Sequence, residues 1–427
     1  MIKTIIKRDG TEEEFSAEKI NHWGEWASKT LGKMVDWPSV VLHAVSVLPQ
    51  KCTSVELQER LVKTCLEFDT WSYNRMAGRL YAALMNKEVH GGSKPTVMEL
   101  HKSLQEKGLM AILDYSEEEY EQIESIINHK RDFKASYYEL HQVQNKYAIK
   151  DRVKGITYET PQYAMMRMAM ALSETRSKET RMEDVESFYQ LFSDKILNAP
   201  TPNWVNLGTP LNGYASCALY TVNDNAKSLA IGDHIAYTMT CMSAGIGSHL
   251  SVRSVGDPVR GGAIKHMGKL PYYRSMVAAA KANQQAGRGG AVTTHFSCYD
   301  PEVLTIAKLK NPMSPEDKKI RGMDYSFGSN KFFARKVAKN EKVFLFNTHT
   351  APDLWEALYN GDGENFERLY KQYENDKSFN KTWVSARDLL IEQMNEGYET
   401  GRAYLHWPDE MNRHTPFKDT IYSSNLC

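Results

Sequence analysis

Strand-like and helix-like segments alternate along the second half of the chain, and this alternation limits the possible folds more than any other feature. The composition changes at residues 198–202, Asn-Ala-Pro-Thr-Pro, and short runs with strand character follow. We predict strands at 213–222, 248–252, 291–297, 323–328, 343–346, 403–407 and 420–426. We predict helices between them, near 227–243, 270–283, 352–373 and 382–396. Alternation of this kind is typical of parallel βαβ units, whose ligands gather at the carboxyl ends of the strands.

The first half of the chain is different, because its patterns are mostly helical. Residues 1–92 are predicted to form a small module that begins with a hairpin turned at residues 8–11. One helix of this module begins at a capping box, Thr-Ser-Val-Glu, at residues 53–56. Residues 93–197 contain helical patterns only, and we assign residues 198–427 to the α/β domain.

Composition and charge exclude several classes of protein. A chain of 427 residues with 41% hydrophobic and 25% charged residues can form two or three globular domains. Its 53 basic residues are balanced by 53 acidic ones, which argues against direct binding of nucleic acid across a broad basic face. No apolar run approaches the roughly 18 residues that a membrane span needs, and the first residues do not resemble a signal peptide. We therefore expect a cytoplasmic protein, located in the host cytoplasm if it is viral.

Two loops of the α/β region share the tetrapeptide Arg-Gly-Gly-Ala, at residues 260–263 and 288–291. Glycines let backbone N–H groups approach an anion, and a guanidinium can donate two hydrogen bonds to a phosphate. The second loop follows Asn283, Gln284 and Gln285, whose amides can read the edges of a base. Neither loop matches a P-loop or a dinucleotide fingerprint. Nucleotide binding and a purely structural turn both remain open on these residues alone.

Two further features allow both a functional and a structural interpretation. Lys7 and Arg8 at the N-terminal turn can bind a triphosphate, although a solvated hairpin is the simpler interpretation. Cys217 lies in a predicted strand, where a single cysteine usually packs in the core. The hydroxyls of Thr201 and Ser216 come before it and suit a small ligand that carries phosphate. The spacing of the six cysteines indicates no metal site.

Several motifs together resemble class I ribonucleotide reductase, large (alpha) subunit. They are Pro200-Thr201-Pro202, Ala215-Ser216-Cys217, Ala244-Gly245-Ile246-Gly247, the segments 258–262 and 287–291, and Ser424-Asn425-Leu426-Cys427. The motifs agree with the family in order and spacing over essentially the whole chain, most strongly from residue 200 onward. The resemblance implies an α/β fold with an ATP-cone-like N-terminal domain, a helical domain and the first half of a ten-stranded α/β barrel that ends at its finger loop.

The resemblance also implies roles for individual residues. Cys427 matches the finger-loop cysteine that becomes a thiyl radical and abstracts the ribose 3′ hydrogen. Asn425 would hydrogen-bond the substrate, and Cys217 would be one half of the dithiol that reduces the 2′ position. Positions that contact substrate in the family match Thr201, Ser216, Cys217, Gly245 and Asn425. Positions of the specificity-effector site match Asp224, Arg253, Arg260, Asn283, Gln284 and Arg288. Nucleotide-binding positions of the ATP-cone match Lys7, Arg8, Glu13, Lys19 and Thr53.

Cofactors and partners follow from the same resemblance. The expected reaction is the reduction of ribonucleoside diphosphates to deoxyribonucleoside diphosphates for DNA synthesis. ATP or deoxynucleoside triphosphates are the expected allosteric effectors, and no metal is expected in this chain. A small (beta) subunit would supply a di-iron tyrosyl radical, thioredoxin or glutaredoxin would act as reductant, and the large subunit would associate as a dimer.

The chain departs from the family pattern in two ways. Leu57 and Val55 stand where many members have a His and an Asp on the second helix of the cone, which puts inhibition by dATP in question. The family's catalytic Glu, the dithiol partner of Cys217, the radical-relay tyrosines and the C-terminal cysteine pair would all follow Cys427. We therefore expect a second polypeptide that completes the barrel, as in a split, bacteriophage-type large subunit, and no turnover by this chain alone.

Two other functions are alternatives to a reductase. A regulatory or assembly protein descended from the reductase would bind nucleotides through both Arg-Gly-Gly-Ala loops and would have no use for Cys427. A glycyl-radical or other barrel enzyme is disfavoured, because no glycyl-radical segment is present and the cone fits it less well. A longer polypeptide that continues beyond residue 427 is the alternative to a split subunit.

Overall fold

The structure is a computed structural model of the chain, and it describes residues 2–242, 244–282 and 290–425. Two compact units are present, Met1–Tyr214 and Ala215–Cys427. Four predicted site residues and the second Arg-Gly-Gly-Ala loop fall wholly or partly outside the described residues. The four are Asn283, Gln284, Arg288 and Cys427. Within the described ranges, no helix combines the length and the apolar character that crossing a membrane requires.

The first unit begins with a small sheet and four helices. Strand β1 (Thr4–Ile6) pairs antiparallel with β2 (Glu12–Glu14), as the predicted hairpin requires, and parallel with β3 (Lys51–Thr53). The helices are α1 (Ala17–Ser28), α2 (Trp37–Ser46), α3 (Ser54–Glu67) and α4 (Trp71–His90). The predicted capping box is confirmed at the start of α3. Thr53 Oγ1 accepts the Glu56 N–H at 3.0 Å, and the Glu56 carboxylate accepts the Thr53 N–H at 2.7 Å.

The rest of the first unit is mainly helical, as the sequence predicts. Its helices are α5 (Val97–Glu106), α6 (Glu117–Ile126), α7 (Tyr137–Gln142), α8 (Pro161–Ser173), α9 (Arg181–Ser193) and α10 (Thr201–Asn206). A short antiparallel pair, β4 (Lys150–Asp151) and β5 (Ile156–Thr157), interrupts them. Helix α8 is almost wholly buried and packs against α9, so it forms the centre of this core.

A buried ion pair ties α10 to α8. Arg167 Nε lies 2.8 Å from Glu159 Oε1, and neither side chain is exposed to solvent. The same guanidinium donates to the carbonyl oxygens of Trp204, at 3.0 Å, and Leu207. A buried charge is tolerated only when it is paired and hydrogen-bonded, so this network holds α10 in place. It thereby positions Thr201, the first residue of α10, whose Oγ1 lies 3.3 Å from the Tyr147 hydroxyl.

The second unit is built on a five-stranded parallel sheet in the order β14-β11-β10-β7-β6. Its strands are β6 (Cys217–Asn223), β7 (Gly245–Ser251), β10 (Val292–Ser297), β11 (Asp324–Gly328) and β14 (Ala403–His406). Two antiparallel pairs lie outside this sheet. They are β8 (Pro258–Val259) with β9 (Ile264–Lys265), and β12 (Lys342–Leu345) with β13 (Thr382–Ser385).

Eight helices accompany the described strands of the second unit. They are α11 (Ala226–Cys241), α12 (Leu270–Ala282), α13 (Val303–Ala307), α14 (Lys331–Lys339), α15 (Pro352–Tyr359), α16 (Gly363–Asn375), α17 (Ala386–Thr400) and α18 (Pro408–His414). Helix α11 packs closely on one face of the sheet. An alanine Cβ at Gly232 of α11 would lie 2.7 Å from Val222 of β6, so only glycine allows this approach.

Most predicted strands are confirmed, with two corrections. Strands predicted at 213–222, 248–252, 291–297, 323–328 and 403–407 correspond to the five parallel strands, with shifted ends. The strand predicted at 343–346 belongs instead to the antiparallel pair β12–β13. The strand predicted at 420–426 is wrong over its described residues, 420–425. Backbone groups there bond to side chains rather than to a strand, as when the Ile421 N–H donates to Asn412 Oδ1 at 2.7 Å.

The predicted helices also need two corrections. Those near 227–243 and 270–283 are confirmed over their described residues as α11 and α12. The helix predicted at 352–373 is two helices, α15 and α16, because the chain turns at Gly361 with a φ of 78°. The helix predicted at 382–396 starts too early. Residues 382–385 form β13, and α17 begins after Ser385, whose Oγ accepts the Asp388 N–H at 3.2 Å.

The buried Arg167–Glu159 pair predicts a large cost for removing one partner. We expect Arg167→Met to lower the free energy of unfolding of the first unit by about 3–5 kcal/mol, because the Glu159 charge would remain buried without its partner. Urea denaturation followed by circular dichroism measures this. The control is Lys178→Met. It removes an exposed ion pair in which Lys178 Nζ lies 3.3 Å from Asp114 Oδ2, and it should lower the free energy of unfolding by less than about 1 kcal/mol. Equal effects of the two substitutions would contradict the assignment.

Candidate functional site

One face of the parallel sheet is polar. Residues that are neighbours in register point to the same face, so the pairing of the strands defines the surface. His295 of β10 lies beside His249 of β7 and beside Ser326 of β11, while Cys217 of β6 lies beside Gly245 of β7. Described residues of this face include Cys217, Leu219, Gly245, Gly247, His249, Thr293, His295, Ser297, Ser326, Gly328 and His406. Glycines, hydroxyls and imidazoles dominate it, whereas the opposite face is largely apolar and is packed against helices such as α11.

Residues 422–425 lie across this polar face. The Ser424 N–H donates to His295 Nε2 at 3.1 Å, and Ser424 Oγ is 3.1 Å from the same nitrogen. The Ser424 carbonyl oxygen sits directly over Gly247, where an alanine Cβ would overlap it. Tyr422 stacks on His249 with 5.4 Å between ring centroids. The absence of a side chain at residue 247 is therefore what lets the backbone of this segment come so close to the sheet.

The same segment approaches the strand that carries Cys217. Gly247 lies two residues along β7 from Gly245, the register neighbour of Cys217, which is about 7 Å at the usual rise of a strand. Cys217 is exposed, its Sγ is 3.4 Å from Ser216 Oγ, and the Ser216 carbonyl accepts the Gly245 N–H at 2.7 Å. The sheet thus brings together three predicted substrate residues. They lie at the amino ends of β6 and β7, not at the carboxyl ends where the βαβ pattern led us to expect ligands.

The other predicted catalytic and substrate residues are placed less completely. Asn425 follows Ser424, and its Nδ2 atom is buried with no hydrogen-bond partner in the described part of the chain. Such a donor is available to a ligand. Thr201 belongs to the first unit, and Cys427 lies outside the described residues.

Three predicted effector residues lie at and beyond the carboxyl ends of β6 and β7. Arg253 Nε donates to Asp224 Oδ2 at 2.7 Å, and the same guanidinium donates to the Pro258 carbonyl. Pro258 begins the hairpin β8–β9, so this contact fixes the base of the hairpin. Arg260 is exposed at its tip with a φ of 50°, a left-handed conformation in an Arg-Gly-Gly-Ala turn. The predicted turn is therefore a hairpin tip that presents a guanidinium to solvent.

A cavity of about 900 Å³ opens between the N-terminal hairpin and the helices of the first unit. Four of the five predicted cone residues line it, namely Lys7, Arg8, Glu13 and Lys19. Thr53 does not line the cavity, because its side chain caps α3, but Ser54 next to it does. Glu13 lies 2.7 Å from Lys7 and 3.1 Å from Lys19, and hydrogen bonds from both lysines lower the pKa of its carboxyl. The Glu13 carboxylate therefore holds the ammonium groups of Lys7 and Lys19 at the cavity wall.

Lys87 of α4 also lines this cavity and was not predicted. Its Nζ lies 4.8 Å from the centre of the Trp23 ring. Burial and the positive charges of Arg8 and Lys7 lower the pKa of Lys87. A lysine in the last turn of a helix is common, since it complements the helix dipole, so the sequence carried no signal that distinguished it.

Three imidazoles on the polar face were likewise missed by the sequence analysis. Burial lowers the pKa of His249 to about 3 and that of His295 to about 4, and it lowers the pKa of His406 well below its usual value. All three are therefore neutral near pH 7. Among the described residues, no group of three or more His, Cys, Asp or Glu side chains is arranged to hold a metal ion. The available signal was the polar alternation of β10, Thr293-His295-Ser297, within a strand that is buried throughout.

The contact between Ser424 and Gly247 predicts a local effect of adding one methyl group. We expect Gly247→Ala to displace residues 422–425, because the new Cβ would overlap the Ser424 carbonyl and lie 2.6 Å from Leu219 Cδ2. Cleavage by chymotrypsin after the half-buried Tyr422 should become at least about tenfold faster, since proteolysis follows the population of the open form. The control is Gly363→Ala at the start of α16, where a Cβ meets no atom within 4 Å. An unchanged cleavage rate in Gly247→Ala would contradict the placement of the segment.

Comparisons with known proteins identify the family that the chain resembles. The family described as "Ribonucleotide reductase, barrel domain" matches residues 215–427, and "Ribonucleotide reductase, all-alpha domain" matches residues 133–212. The chain is 32% identical to "Ribonucleoside-diphosphate reductase 1 subunit alpha" of Escherichia coli (strain K12), over 99% of this chain and 57% of that protein. It is 30% identical to "Ribonucleoside-diphosphate reductase subunit alpha" of Enterobacteria phage T4, with the same coverage of each chain. A relative of the same name from Helicobacter pylori is 26% identical, over 99% of this chain and 54% of that protein.

The chain spans about half the length of the curated relatives that it matches. Both matched domains come from one family, they follow each other in the order of the chain, and similarity to the relatives extends over nearly all of its length. The chain belongs to the ribonucleotide reductase large-subunit family, of which it holds the all-alpha domain and a part of the barrel.

Proposed function

We propose that the chain is the N-terminal portion of the large subunit of a ribonucleoside-diphosphate reductase. The observation that carries this proposal is the path of residues 422–425 over the polar face of the sheet. That path places the Ser424 carbonyl over Gly247 of β7, the strand that begins at Gly245 beside Cys217. A ribonucleoside diphosphate is the proposed substrate, and its deoxyribonucleoside diphosphate is the proposed product.

The proposed chemistry gives a role to Cys427 and to Cys217. A thiyl radical on Cys427 takes the 3′ hydrogen atom of the ribose and returns it after reduction. The 2′ hydroxyl leaves as water, while Cys217 and a second thiol supply two electrons and two protons and become a disulfide. Asn425 is proposed to donate to a ribose hydroxyl, which suits its buried and unpartnered amide nitrogen. Thr201 and Ser216 stay predicted substrate contacts.

The remainder of the active site is proposed to come from residues that this chain does not contain. The described strands form a sheet that ends at β6 on one side and β14 on the other, and a ten-stranded barrel needs further strands at both edges. We propose that strands of the other half of the large subunit pair with β6 and β14, and that this half is a second polypeptide. A small subunit with a di-iron tyrosyl radical, thioredoxin or glutaredoxin as reductant, a dimeric large subunit and a cytoplasmic location complete the proposal.

The nucleotide effectors are proposed to bind at two places within the chain. The first is the N-terminal cavity, where Lys7, Arg8, Lys19 and Lys87 offer cationic donors to a triphosphate. The second is the carboxyl end of β6 and β7, with Asp224, Arg253 and Arg260. The first site fits ATP in volume and in charge, since ligand cavities usually measure about 300–1,000 Å³.

The assignment of the thiols predicts a clear pattern of activity in the assembled enzyme. With the second half of the large subunit and the small subunit present, Cys427→Ser and Cys217→Ser should each reduce CDP turnover at least about a thousandfold, as expected when a covalent participant is removed. Turnover is measured as dCDP formed from CDP with a thioredoxin system. Cys241→Ser in α11, a partly buried cysteine outside the site, is the control and should retain activity.

Two results would count against the reductase proposal. Turnover by this chain without any other protein would refute the proposal that its active site is incomplete. If the assembled complex binds nucleotides but Cys427→Ser leaves its properties unchanged, the chain is instead a regulatory or assembly protein derived from the reductase. The N-terminal cavity is what favours that second candidate, because all of its described lining residues lie within residues 5–92.

Nucleotide binding in the N-terminal cavity makes a separate prediction. We expect Lys87→Met to weaken ATP binding by about 10- to 100-fold, because a charge-assisted hydrogen bond to phosphate contributes roughly 1.5–3 kcal/mol. Isothermal titration calorimetry on the intact chain measures the affinity. Lys63→Met is the matched control, since Lys63 is an exposed lysine of α3 that does not line the cavity. Equal affinities of the two variants would exclude the cavity as the ATP site.

A further inference from the structure

Three buried histidines occupy three strands of the sheet beneath residues 422–425. His249 is on β7, His295 on β10 and His406 on β14, and each is at most 7% exposed. His295 and His406 meet edge to face, with 4.7 Å between ring centroids.

The hydrogen bond between Ser424 and His295 defines the state of this imidazole. A backbone N–H can only donate, so His295 Nε2, 3.1 Å away, must be the acceptor. A neutral imidazole that accepts at Nε2 carries its proton on Nδ1. Protonation of Nε2 would replace this acceptor with a second donor that faces the Ser424 N–H. The seating of Ser424 therefore requires a neutral His295.

The other two imidazoles hold this arrangement from either side. His406 Nδ1 lies 3.0 Å from Ser326 Oγ, and the His406 ring packs against His295. His249 Nε2 lies 2.9 Å from the Tyr359 hydroxyl, and the His249 ring stacks on Tyr422. His295 is the member of the group that makes a polar contact with the backbone of the segment in the described structure.

We propose that His295 is a positioning residue, whose neutral imidazole accepts the Ser424 N–H and so holds the segment that carries Asn425 over the polar face of the sheet. This inference rests on the proposed reductase function in one respect only, namely that the segment must be held there for turnover. The seating itself is independent of any activity. Leu219, Gly247 and Ser424 supply the steric fit, and His295 supplies the directional contact.

The placement of Ser424 on the sheet, called seating here, depends on pH. Among the described residues, His406 contacts His295 and His249 lies beside it in register. His249 in turn contacts Tyr359 from α15 and Tyr422 from the segment, and the Lys269 charge acts on His249. Burial lowers the pKa of His295 to about 4, below the value of about 6.5 for an exposed histidine. The seated form thus binds fewer protons. Seating is complete above about pH 6.5 and weakens by up to about tenfold per pH unit as the pH falls toward 4.

Hydrogen exchange of the intact chain tests the hydrogen bond from the Ser424 N–H to His295 directly. The protection factor of the Ser424 amide is measured in His295→Leu, which removes the acceptor, and in His295→Gln, whose Oε1 can replace Nε2. We expect protection to fall at least tenfold in His295→Leu and to remain within threefold of the native value in His295→Gln. The control is His101→Leu in the first unit, which removes a buried histidine whose Nδ1 lies 3.2 Å from the Tyr120 hydroxyl. It should leave the Ser424 amide unchanged.

Two outcomes of the exchange experiment would overturn the proposal. One is native protection in His295→Leu, and the other is an equal loss in His295→Gln and His295→Leu, which would indicate packing without a directional contact. If His295→Leu does not fold, the native chain and His295→Gln still decide the matter. Protection in the native chain should drop about fifteenfold from pH 6.5 to pH 5, whereas that of His295→Gln should not, because glutamine does not titrate. Parallel profiles would refute the role of the imidazole.

Turnover of the assembled enzyme then tests the positioning role. In His295→Leu we expect kcat for CDP to fall at least tenfold with KM changed less than threefold, and we expect His295→Gln to recover most of kcat. If His295→Leu loses amide protection but keeps kcat, then His295 holds the segment but turnover does not require the segment to be held. That result would contradict the positioning role. If the native assembly has no reductase activity, the proposed function fails, while the exchange result on the seat stands.

Discussion

The close approach of the Ser424 carbonyl to Gly247 is the contact on which the candidate site of the second unit depends. It is possible only because one face of the parallel sheet presents small and polar side chains where a buried sheet usually presents large apolar ones. The apolar face is used for stability, as Val222 under Gly232 of α11 illustrates. The polar face is left for a segment of chain and, as we propose, for a substrate. The two faces of one sheet thus have different roles, since one packs against helices and the other forms the candidate site.

Charged groups fix a hairpin beside this sheet and a helix of the first unit. The Arg253–Asp224 pair and the contact of Arg253 with Pro258 fix the base of the hairpin that carries Arg260. In the first unit, the Arg167–Glu159 pair does the same for α10. A buried pair of this kind contributes little net stability compared with an apolar pair, but it is strongly directional. The value of the Arg167–Glu159 pair is that its hydrogen bonds fix the position of α10 against α8.

The sequence allowed most of the fold to be predicted and a smaller part of the candidate site. Alternating strand and helix patterns predicted the parallel sheet, and the capping box predicted the start of α3, because both signals are local. The segment at 420–426 looked like a strand because Thr420, Ile421 and Tyr422 favour extended backbone, and extended backbone need not pair. Its true partners, Asn412 and His295, are side chains, and single-sequence patterns do not encode such contacts.

The site was predicted by resemblance more than by pattern. Cys217 stands out in the sequence by itself, but its role and that of Gly245 come from the family motifs, and the register of β6 and β7 brings the two residues side by side. His249, His295 and His406 were not named, because they are brought together only when distant strands pair. Lys87 was not named for the same reason, since it meets Lys7 and Arg8 across a cavity that only the folded chain forms.

The position of a bound ribonucleoside diphosphate tests the central claim most directly. We would determine the structure of the assembled large subunit with CDP and locate the ribose in the density map. The account predicts the ribose over the polar face of the sheet, beside Gly245 and within hydrogen-bonding distance of the Asn425 amide. A nucleotide found only in the N-terminal cavity or at Arg253 and Arg260, with the polar face occupied by protein alone, would contradict it.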